Sequence, residues 1–318
     1  MHTLSPSSPL RVQLITDGKP GHLNQLKGLL DQLKALTDVE AEWLDVGKTP
    51  LTLWSLWKRS QRQPAFELVV GAGHKTHKAV LMLGRNSFSC LLMKPSVPLN
   101  WFDACIIPRH DSPPYRSSVL VTDGVLNCVK AKSSQGATSP SFARGLILIG
   151  GESRHYTFNA ESIVEQVLAI IGTSNHLWTL TDSRRTPSGF IELLVSQIKE
   201  HGWQDKIDIH PHQQTPSSWL PEQYQRADDI WVTPDSVSMV YESLTTGSAV
   251  GLFDLAPQAG SRIATGISAL IENRQVTPFA HWRLTGQLPR PTKSFCEAER
   301  AARWLLERVR PSQPDTLR

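Results

Sequence analysis

Residues 233–255, TPDSVSMVYESLTTGSAVGLFDL, decide the fold, because they join the end of one strand to a helix and then to a second strand. Asp235 is placed to cap the start of a helix predicted over residues 236–246. The apolar runs 229–233 and 249–253 flank this helix and predict two parallel strands with a helical crossover. Four apolar side chains recur at helical spacing and form its buried face: Val237, Val240, Tyr241 and Leu244.

The same alternation of apolar strands and amphipathic helices runs outward from this stretch through most of the chain. The predicted strands are residues 11–16, 66–71, 90–93, 104–108 and 118–122, then 145–151, 176–181, 206–210, 229–233 and 249–253. The other predicted helices are residues 24–36, 75–83, 159–172, 188–202 and 294–310. Continuous apolar strands that alternate with helices are typical of parallel sheets covered on both faces. We therefore predict an α/β protein with two doubly wound, Rossmann-like domains.

An interruption rich in Ser, Lys and Gly separates the two sets of strands. Residues 130–144, KAKSSQGATSPSFAR, predict a linker or a mobile loop. The predicted organisation is a disordered segment at 1–9, an N-terminal domain at 10–129, this linker at 130–144, a C-terminal domain at 145–290, and a final segment with a helix at 291–318.

The bulk composition is that of a globular protein and excludes several classes. The 318 residues are 40% hydrophobic and 19% charged, so each predicted domain can bury its own core. A net charge of +4 allows an anionic ligand, but the basic residues are too few and too scattered to predict nucleic-acid binding. Four widely spaced cysteines without a CxxC pair are typical of reduced thiols. No secretory signal or membrane span is predicted, so we expect the cytosol or the cytosolic face of the inner membrane.

The second predicted domain carries phosphate-binding features at the carboxyl ends of its strands, where open α/β sheets bind ligands. The start of helix 236–246 offers free N–H groups, and Ser236 and Ser238 leave room for a diphosphate. Glu242, further along the helix, can accept hydrogen bonds from both hydroxyls of a ribose. The alternative is an ordinary capped helix with a solvated glutamate.

Two adjacent arginines follow another predicted strand at the same edge. Arg184 and Arg185 repel each other unless an anion lies between them, so they favour a phosphate site over a solvated loop. Gly150 and Gly151, after the first strand of this domain, allow a close backbone approach.

Three loops at the strand ends of the first domain carry acid–base groups. They are TDGKPGHLNQ at 16–25, GAGHKTH at 71–77 and PRHD at 108–111. A histidine beside a carboxylate is a workable general base near neutral pH. The candidate side chains are Asp17, His22, His74, His77, His110 and Asp111.

Metal and dinucleotide sites are poorly supported by the motifs. His74 and His77 are three residues apart, as zinc ligands can be, but no third ligand has a recognisable spacing. The chain contains no GxGxxG, no GxxxxGK[ST] and no GxSxG motif. We therefore predict neither a bound metal nor a resident cofactor.

Residues 51–63 suggest a surface role. Trp54 and Trp57 stand beside Lys58 and Arg59, and aromatics next to cations suit a membrane interface. The alternative is a core helix with a solvated end.

Taken together, five motifs resemble the bacterial branch of the elongated-mitochondria fission-protein family. They are DGKPGHLNQ, GAGHKTH, PRHD, SRRTP and DSVSMVYESLTTG, which occur in the order of the family between residues 12 and 255. That family is similar to the GT-B glycosyltransferases, in which two α/β domains face a cleft. The resemblance implies a nucleotide-sugar donor on the C-terminal domain, an acceptor on the N-terminal domain and a last helix that crosses back to the first domain.

The resemblance places Arg184 and Arg185 beside the diphosphate and assigns five residues to the donor site: Asp235, Ser236, Ser238, Met239 and Glu242. Together with the strand-end loops, it gives the full set of candidate residues. The candidate nucleotide-sugar-binding residues are Gly150, Gly151, Ser183, Arg184, Arg185, Thr186, Thr233, Asp235, Ser236, Ser238, Met239 and Glu242. The candidate acceptor loop consists of Gly18, Lys19, Gly21, Asn24 and Gln25, next to the candidate bases His22 and Asp17, with His74, His110 and Asp111 in reserve.

The function that we predict is a metal-independent GT-B-like transferase. It moves a sugar from a nucleotide-diphospho-sugar to an acceptor hydroxyl in envelope or lipid-linked glycan synthesis. Two alternatives stay open: a non-catalytic adaptor at a membrane, and a nucleotide-sugar epimerase of the GT-B type, which needs the same donor site but no acceptor.

Overall fold

A computed structural model of the chain describes residues 8–48, 52–61, 65–132, 143–291 and 295–311. Several predicted segments therefore lie partly outside the described residues. Of the predicted disordered segment at 1–9, residues 1–7 lie outside. Of the predicted linker at 130–144, residues 133–142 lie outside. Of the predicted final segment at 291–318, residues 292–294 and 312–318 lie outside.

Helices and strands alternate along the described chain. Its first part contains β1 (Leu10–Thr16), α1 (Pro20–Leu36), β2 (Val39–Asp45), α2 (Leu53–Ser60), β3 (Leu68–Ala72), α3 (His77–Leu83), β4 (Phe88–Leu92), β5 (Ala104–Pro108) and β6 (Val119–Thr122). The second part contains β7 (Arg144–Leu148), β8 (Tyr156–Thr157), α4 (Ala160–Thr173), β9 (Leu177–Thr181), α5 (Phe190–Glu200), β10 (Ile207–Ile209), α6 (Trp219–Arg226), β11 (Asp229–Val232), α7 (Val237–Thr245), β12 (Ala249–Leu252), β13 (Ala256–Pro257), α8 (Arg262–Glu272), β14 (Thr277–Pro278), α9 (Phe279–Thr285) and α10 (Glu297–Val309).

The chain divides into two compact units. The first comprises Met1–Cys128 together with Cys296–Arg318, and the second comprises Val129–Phe295. Each unit has its own six-stranded sheet. None of the described helices is long and apolar enough to cross a membrane.

The sheet of the first unit is parallel throughout, in the order β2-β1-β3-β4-β5-β6. Its strands are almost wholly buried, which explains why most of them read as continuous apolar runs. The edge strand β2 is the exception, because Leu44 is its one buried residue. Its alternation of charged and apolar side chains did not predict a strand.

Helices cover both faces of this sheet. Leu68 and Val70 of β3 pack into a core with α1, whereas Val69 between them packs into the core beneath α2 and α3. Helix α10 lies beside α1 and completes the first of these cores. Four small or aliphatic side chains form its buried stripe: Ala298, Ala301, Ala302 and Leu305.

The sheet of the second unit has the order β10-β9-β7-β11-β12-β14 and is also parallel. Helices α4 and α5 pack on a core that contains Trp178, Phe190 and Trp231. Strands β8 and β13 form a separate two-stranded antiparallel ribbon. The predicted α/β fold with two doubly wound parallel sheets is thus confirmed.

Candidate active site

The strand order of the first sheet reverses between β1 and β3. The chain leaves β1 for β2 on one side, and β3 then lies on the other side of β1. In doubly wound sheets, a crevice for ligands opens outside the carboxyl ends of the strands at such a switch point. The loops that follow β1 and β3 meet there.

Asp17 and His22 form a hydrogen-bonded pair at this switch point. His22 Nδ1 lies 2.7 Å from Asp17 Oδ1, and the carboxylate is 2% exposed whereas the imidazole is 17% exposed. Burial alone would raise the pKa of Asp17, but hydrogen bonds from His22 and from the Lys19 N–H outweigh it and lower the pKa. Asp17 is therefore ionised at neutral pH, and its carboxylate accepts a hydrogen bond from the Nδ1–H group of His22.

The local sequence explains how this pair is held. Gly18 adopts a left-handed conformation (φ 81°), and Pro20 then begins α1 with its fixed φ, so that His22 falls in the first helical turn. Gly73, after β3, also has a positive φ (100°) and touches the pair directly. A Cβ atom at this position would lie 2.5 Å from Asp17 Oδ2 and from His22 Nδ1.

The other candidate histidines and acids of the first unit lie further along the same edge. The rings of His74 and His77 are 5.1 Å apart, and both are within hydrogen-bond reach of Ser96 Oγ. Burial, followed by the nearby His74, lowers the pKa of His77. Among the described residues, no group of three or more His, Cys, Asp or Glu side chains is arranged to hold a metal ion.

His110 and Asp111 are separated from the Asp17–His22 pair. They occupy a 3₁₀ turn after β5, which is three strands from β1 in the sheet and therefore roughly 14 Å away. The backbone oxygen of Asp111 accepts a hydrogen bond from Lys94.

The predicted acceptor loop is divided between exposed and inward-facing residues. Lys19 and Gly21 are exposed. By contrast, Asn24 Oδ1 accepts from the Cys128 thiol, and the buried Gln25 donates to Met93 Sδ at 3.4 Å. Asn24 and Gln25 thus contribute to packing beneath the loop.

The second sheet has its own switch point, between β7 and β11. The chain moves from β7 to β9 and β10 on one side and returns to β11 on the other. Gly150 and Gly151 follow β7, and residues 233–236 follow β11, so two predicted motifs meet at this point.

Asp235 joins these loops from a fully buried position. Its Oδ2 accepts from the Gly151 N–H at 3.0 Å and pairs with Arg185 Nη1 at 2.8 Å. Its Oδ1 is buried without a hydrogen-bond partner among the described residues. The prediction that Asp235 caps helix α7 is therefore wrong: Ser236 occupies the N-cap, and Arg185 and Gly151 attract the carboxylate away from the helix.

Both glycines are required by close packing. A Cβ on Gly150 would lie 2.3 Å from Asp235 Oδ2, and a Cβ on Gly151 would lie 2.0 Å from the Arg185 backbone oxygen. Three predicted site residues hold this loop through hydrogen bonds. Thr233 Oγ1 accepts from the Gly150 N–H at 2.7 Å, Ser183 Oγ donates to the Gly150 oxygen at 2.9 Å, and Thr186 Oγ1 donates to the same oxygen.

The start of helix α7 presents the remaining predicted side chains. Ser236, Met239 and Glu242 are half-buried, and Ser238 is exposed. Glu242 Oε2 accepts from the hydroxyl of the buried Tyr224 at 3.1 Å. Burial and Glu242 raise the pKa of Tyr224 well above its ordinary value, so this hydroxyl stays protonated and holds the carboxylate in place.

The two predicted arginines differ in their environment. Arg185 is tied to Asp235, and its guanidinium also donates to the Glu152 backbone oxygen at 3.1 Å. Arg184 is exposed and, within the described part of the chain, has no carboxylate partner. Arg184 is therefore the one of the pair whose charge is available to a ligand.

Sequence patterns did not predict a group of arginines around His155, next to the Asp235–Arg185 pair. His155 lies between Arg154, whose Nε is 3.2 Å from His155 Nε2, and Ser261 Oγ at 3.1 Å from Nδ1. Burial and then the charges of Arg154, Arg185 and Arg262 lower the pKa of His155. The ribbon of β8 and β13 brings His155 close to Ser261, which lies about 100 positions later in the sequence. A local sequence motif therefore cannot predict this contact.

Another buried tyrosine lies close to the Asp235 carboxylate. Burial, reinforced by the Asp235 charge, raises the pKa of Tyr156 to about 12. The predicted membrane-contact residues lie on α2, which covers one face of the first sheet: Trp54, Trp57, Lys58 and Arg59.

Comparisons with solved structures agree on the class of fold. The chain superimposes on a putative UDP-N-acetylglucosamine 2-epimerase from Listeria monocytogenes with a TM-score of 0.55 and 12% identity, over 96% of this chain and 98% of that one. It superimposes on MurG from Acinetobacter baumannii with a TM-score of 0.52 and 12% identity, over 95% of this chain and 99% of that one. The fold is that of the GT-B glycosyltransferases and epimerases.

Comparisons of sequence establish the family. The model of the family described as "Mitochondrial fission ELM1" matches residues 20–309, so the chain belongs to that family, as the motifs predicted. It is also 22% identical to the uncharacterized protein RP120 of Rickettsia prowazekii (strain Madrid E), over 77% of this chain and 83% of that protein.

Proposed function

We propose that the protein is a sugar transferase that uses a nucleotide-diphospho-sugar and needs neither a metal nor a resident cofactor. The observation that carries the proposal is the Asp17–His22 pair, a buried carboxylate that orients a partly exposed imidazole at a switch point. A histidine held in this way through Nδ1 keeps Nε2 available as a proton acceptor. Packing of the first unit has no need of this hydrogen-bonded pair.

In the proposed reaction, His22 Nε2 takes the proton of an acceptor hydroxyl. The acceptor oxygen forms a bond to the anomeric carbon, and the bond between that carbon and the diphosphate oxygen breaks. The nucleoside diphosphate leaves with the electron pair. Asp17 stabilises the imidazolium that forms, as carboxylates do in comparable dyads.

The second unit supplies features that suit the departing diphosphate. The exposed Arg184, the cationic group around His155 and the free N–H groups at the start of α7 all favour an anion where charge develops. Tyr224 holds Glu242 in place, and Glu242 is the proposed acceptor for the ribose hydroxyls.

The test is turnover of a panel of nucleotide-sugars by wild-type protein, followed as release of nucleoside diphosphate. When no acceptor is supplied, transfer of the sugar to water releases the same nucleoside diphosphate and is measured instead. We expect His22→Asn to lower the rate by about 100-fold or more without weakening donor binding, because a positioned general base contributes roughly 10²–10⁴-fold. His201→Asn, at an exposed histidine that ends α5, is the matched control.

Two outcomes would favour the rival functions. Conversion of one nucleotide-sugar into its epimer without an acceptor, detected by NMR, would replace transfer by epimerisation. Wild-type protein that binds no nucleotide and releases none would leave the non-catalytic adaptor.

A further inference from the structure

One part of the chain has a net positive charge because acids are rare in it. Residues 46–102 contain eight Lys and Arg residues and a single acid, Glu67. This segment therefore has a net charge of +7, whereas the whole chain has +4 and the remaining residues sum to −3. Glu67 is itself bound to Arg310 at 2.6 Å.

The structure places much of this segment on one face of the first sheet. Leu56 of α2 and Val80 of α3 are buried in the core beneath that face, whereas α1 and α10 cover the opposite face. The outer side of α2, α3 and their flanking 3₁₀ turns carries exposed cations, namely Lys58, Lys75, Lys78 and Arg85. Arg59, at the end of α2, lies 3.5 Å from Glu42 of the neighbouring strand β2.

Exposed tryptophans stand among these cations. Trp54 and Trp57, one helical turn apart on α2, are 68% and 52% exposed. Lys58 Nζ lies 5.4 Å from the centre of the Trp54 ring. Trp101 is also exposed, next to Phe102, which is buried in the core beneath α2 and α3. Exposed indoles beside cations are typical of an interface with lipid headgroups.

We propose that this face of the first unit binds the surface of an anionic phospholipid bilayer. The indoles of Trp54 and Trp57 insert among the headgroups, and the cations on α2 and α3 pair with the lipid phosphates. The two indoles lie one turn apart on a single helix, which favours insertion into a membrane over stacking along a nucleic-acid strand. The inference is independent of the proposed transferase activity.

The experiment is flotation of the full-length protein with vesicles. Phosphatidylcholine vesicles are compared with vesicles that also contain about 30% phosphatidylglycerol, at low and high salt. We expect binding to the anionic vesicles, weakened by salt. Lys75→Gln with Lys78→Gln should weaken it roughly 25-fold, about fivefold per charge. Lys27→Gln with Lys34→Gln, the same change on α1, should leave it unaltered.

A second pair of variants tests the tryptophans. Trp54→Ser with Trp57→Ser should weaken binding by at least about tenfold. Tyr115→Ser, at a fully exposed aromatic outside this surface, should not. Thermal unfolding of each variant confirms that the fold is kept.

Several results would overturn the inference. The wild-type protein fails to bind anionic vesicles, or it binds neutral vesicles equally well. The Trp54→Ser, Trp57→Ser variant binds as tightly as wild type. The protein binds a DNA or RNA duplex more tightly than it binds vesicles. Nucleotide binding by the tryptophan variant reports separately on the transferase proposal.

Discussion

Asp17 is the residue whose role can be isolated most cleanly. Asp17→Asn keeps the shape of the side chain but removes the charge that holds His22 Nδ1–H. We expect the rate of sugar transfer or donor hydrolysis to fall by about 10²-fold or more, while the dissociation constant of the donor stays the same. Both are measured on the same preparation, with the exposed Asp31→Asn as control. An unaltered rate would remove the dyad from the mechanism.

Gly150 tests the packing at the second switch point. In Gly150→Ala, the new methyl group would lie 2.3 Å from Asp235 Oδ2, so the loop or the carboxylate must move. We expect the free energy of unfolding of the second unit to fall by about 1–3 kcal/mol and donor affinity to fall with it. Urea denaturation measures the first effect.

Gly21→Ala is the matched control for this glycine. No atom lies within 4 Å of a Cβ at Gly21, which is in the first turn of α1. The substitution should leave stability unchanged or slightly raised, because alanine is the better helix former. Equal losses in the two variants would contradict the packing argument.

At this scale, sequence patterns predicted which residues lie at the sheet edges but not how they pair. Asp17 and His22 are five positions apart, so their pairing could be foreseen as one option among several. The partner of Asp235 is Arg185, 50 positions earlier in the chain, and the partner of Glu242 is Tyr224 on another helix. Local spacing carries no information on such long-range pairs.

At the scale of elements, buried strands and amphipathic helices were predictable because their hydrophobic period is strong. Two of the elements that sequence patterns missed bury few side chains. Strand β2 lies at an exposed edge with Glu40 and Glu42, and α6 is a short helix that contains Pro221 and buries only Tyr224. Pattern reasoning fails where an element contributes little to a core.

Helix α10 offers a direct test of how the first unit is completed. Leu305 is fully buried among α1 and the strands, whereas its neighbour Leu306 is only partly buried. We expect Leu305→Ala to lower the free energy of unfolding of the first unit by about 2–5 kcal/mol, through lost burial and a cavity. Leu306→Ala should cost clearly less. Equal costs in urea denaturation would show that α10 is not anchored by this stripe.

The end of α10 also makes stability depend on pH. Hydrogen bonds from Arg310 lower the pKa of Glu67 despite its partial burial. A carboxyl group whose pKa is lower in the folded state stabilises the fold above its unfolded pKa and loses this contribution as pH falls through the folded pKa. Arg310→Gln should therefore lower the free energy of unfolding at pH 7. The loss should be at most about 1 kcal/mol, because the pair is partly exposed to solvent. The difference in free energy of unfolding between variant and wild type should shrink below about pH 4. Urea denaturation at several pH values measures it, and a difference that does not vary with pH would contradict the prediction.

At the scale of the whole molecule, the two units share one design. Each has a doubly wound parallel sheet, and each places a buried aspartate at its switch point, Asp17 in the first and Asp235 in the second. The motifs span both units, and the family match extends over residues 20–309. Resemblance to solved GT-B proteins at 12% identity establishes the fold alone, so the proposed reaction has to be tested at the side chains of each unit.

Binding of a donor to the second unit is the claim on which the account depends most. A thermal-shift titration with nucleoside diphosphates and their sugars, with and without EDTA, measures it directly. A ligand that binds only the folded state at about 100 times its dissociation constant stabilises it by about 2.7 kcal/mol. We predict that one nucleotide raises Tm, that EDTA does not alter the rise, and that Arg184→Ala and Glu242→Ala diminish it whereas Arg283→Ala does not. No rise with any nucleotide, or a full rise in both site variants, would contradict the account.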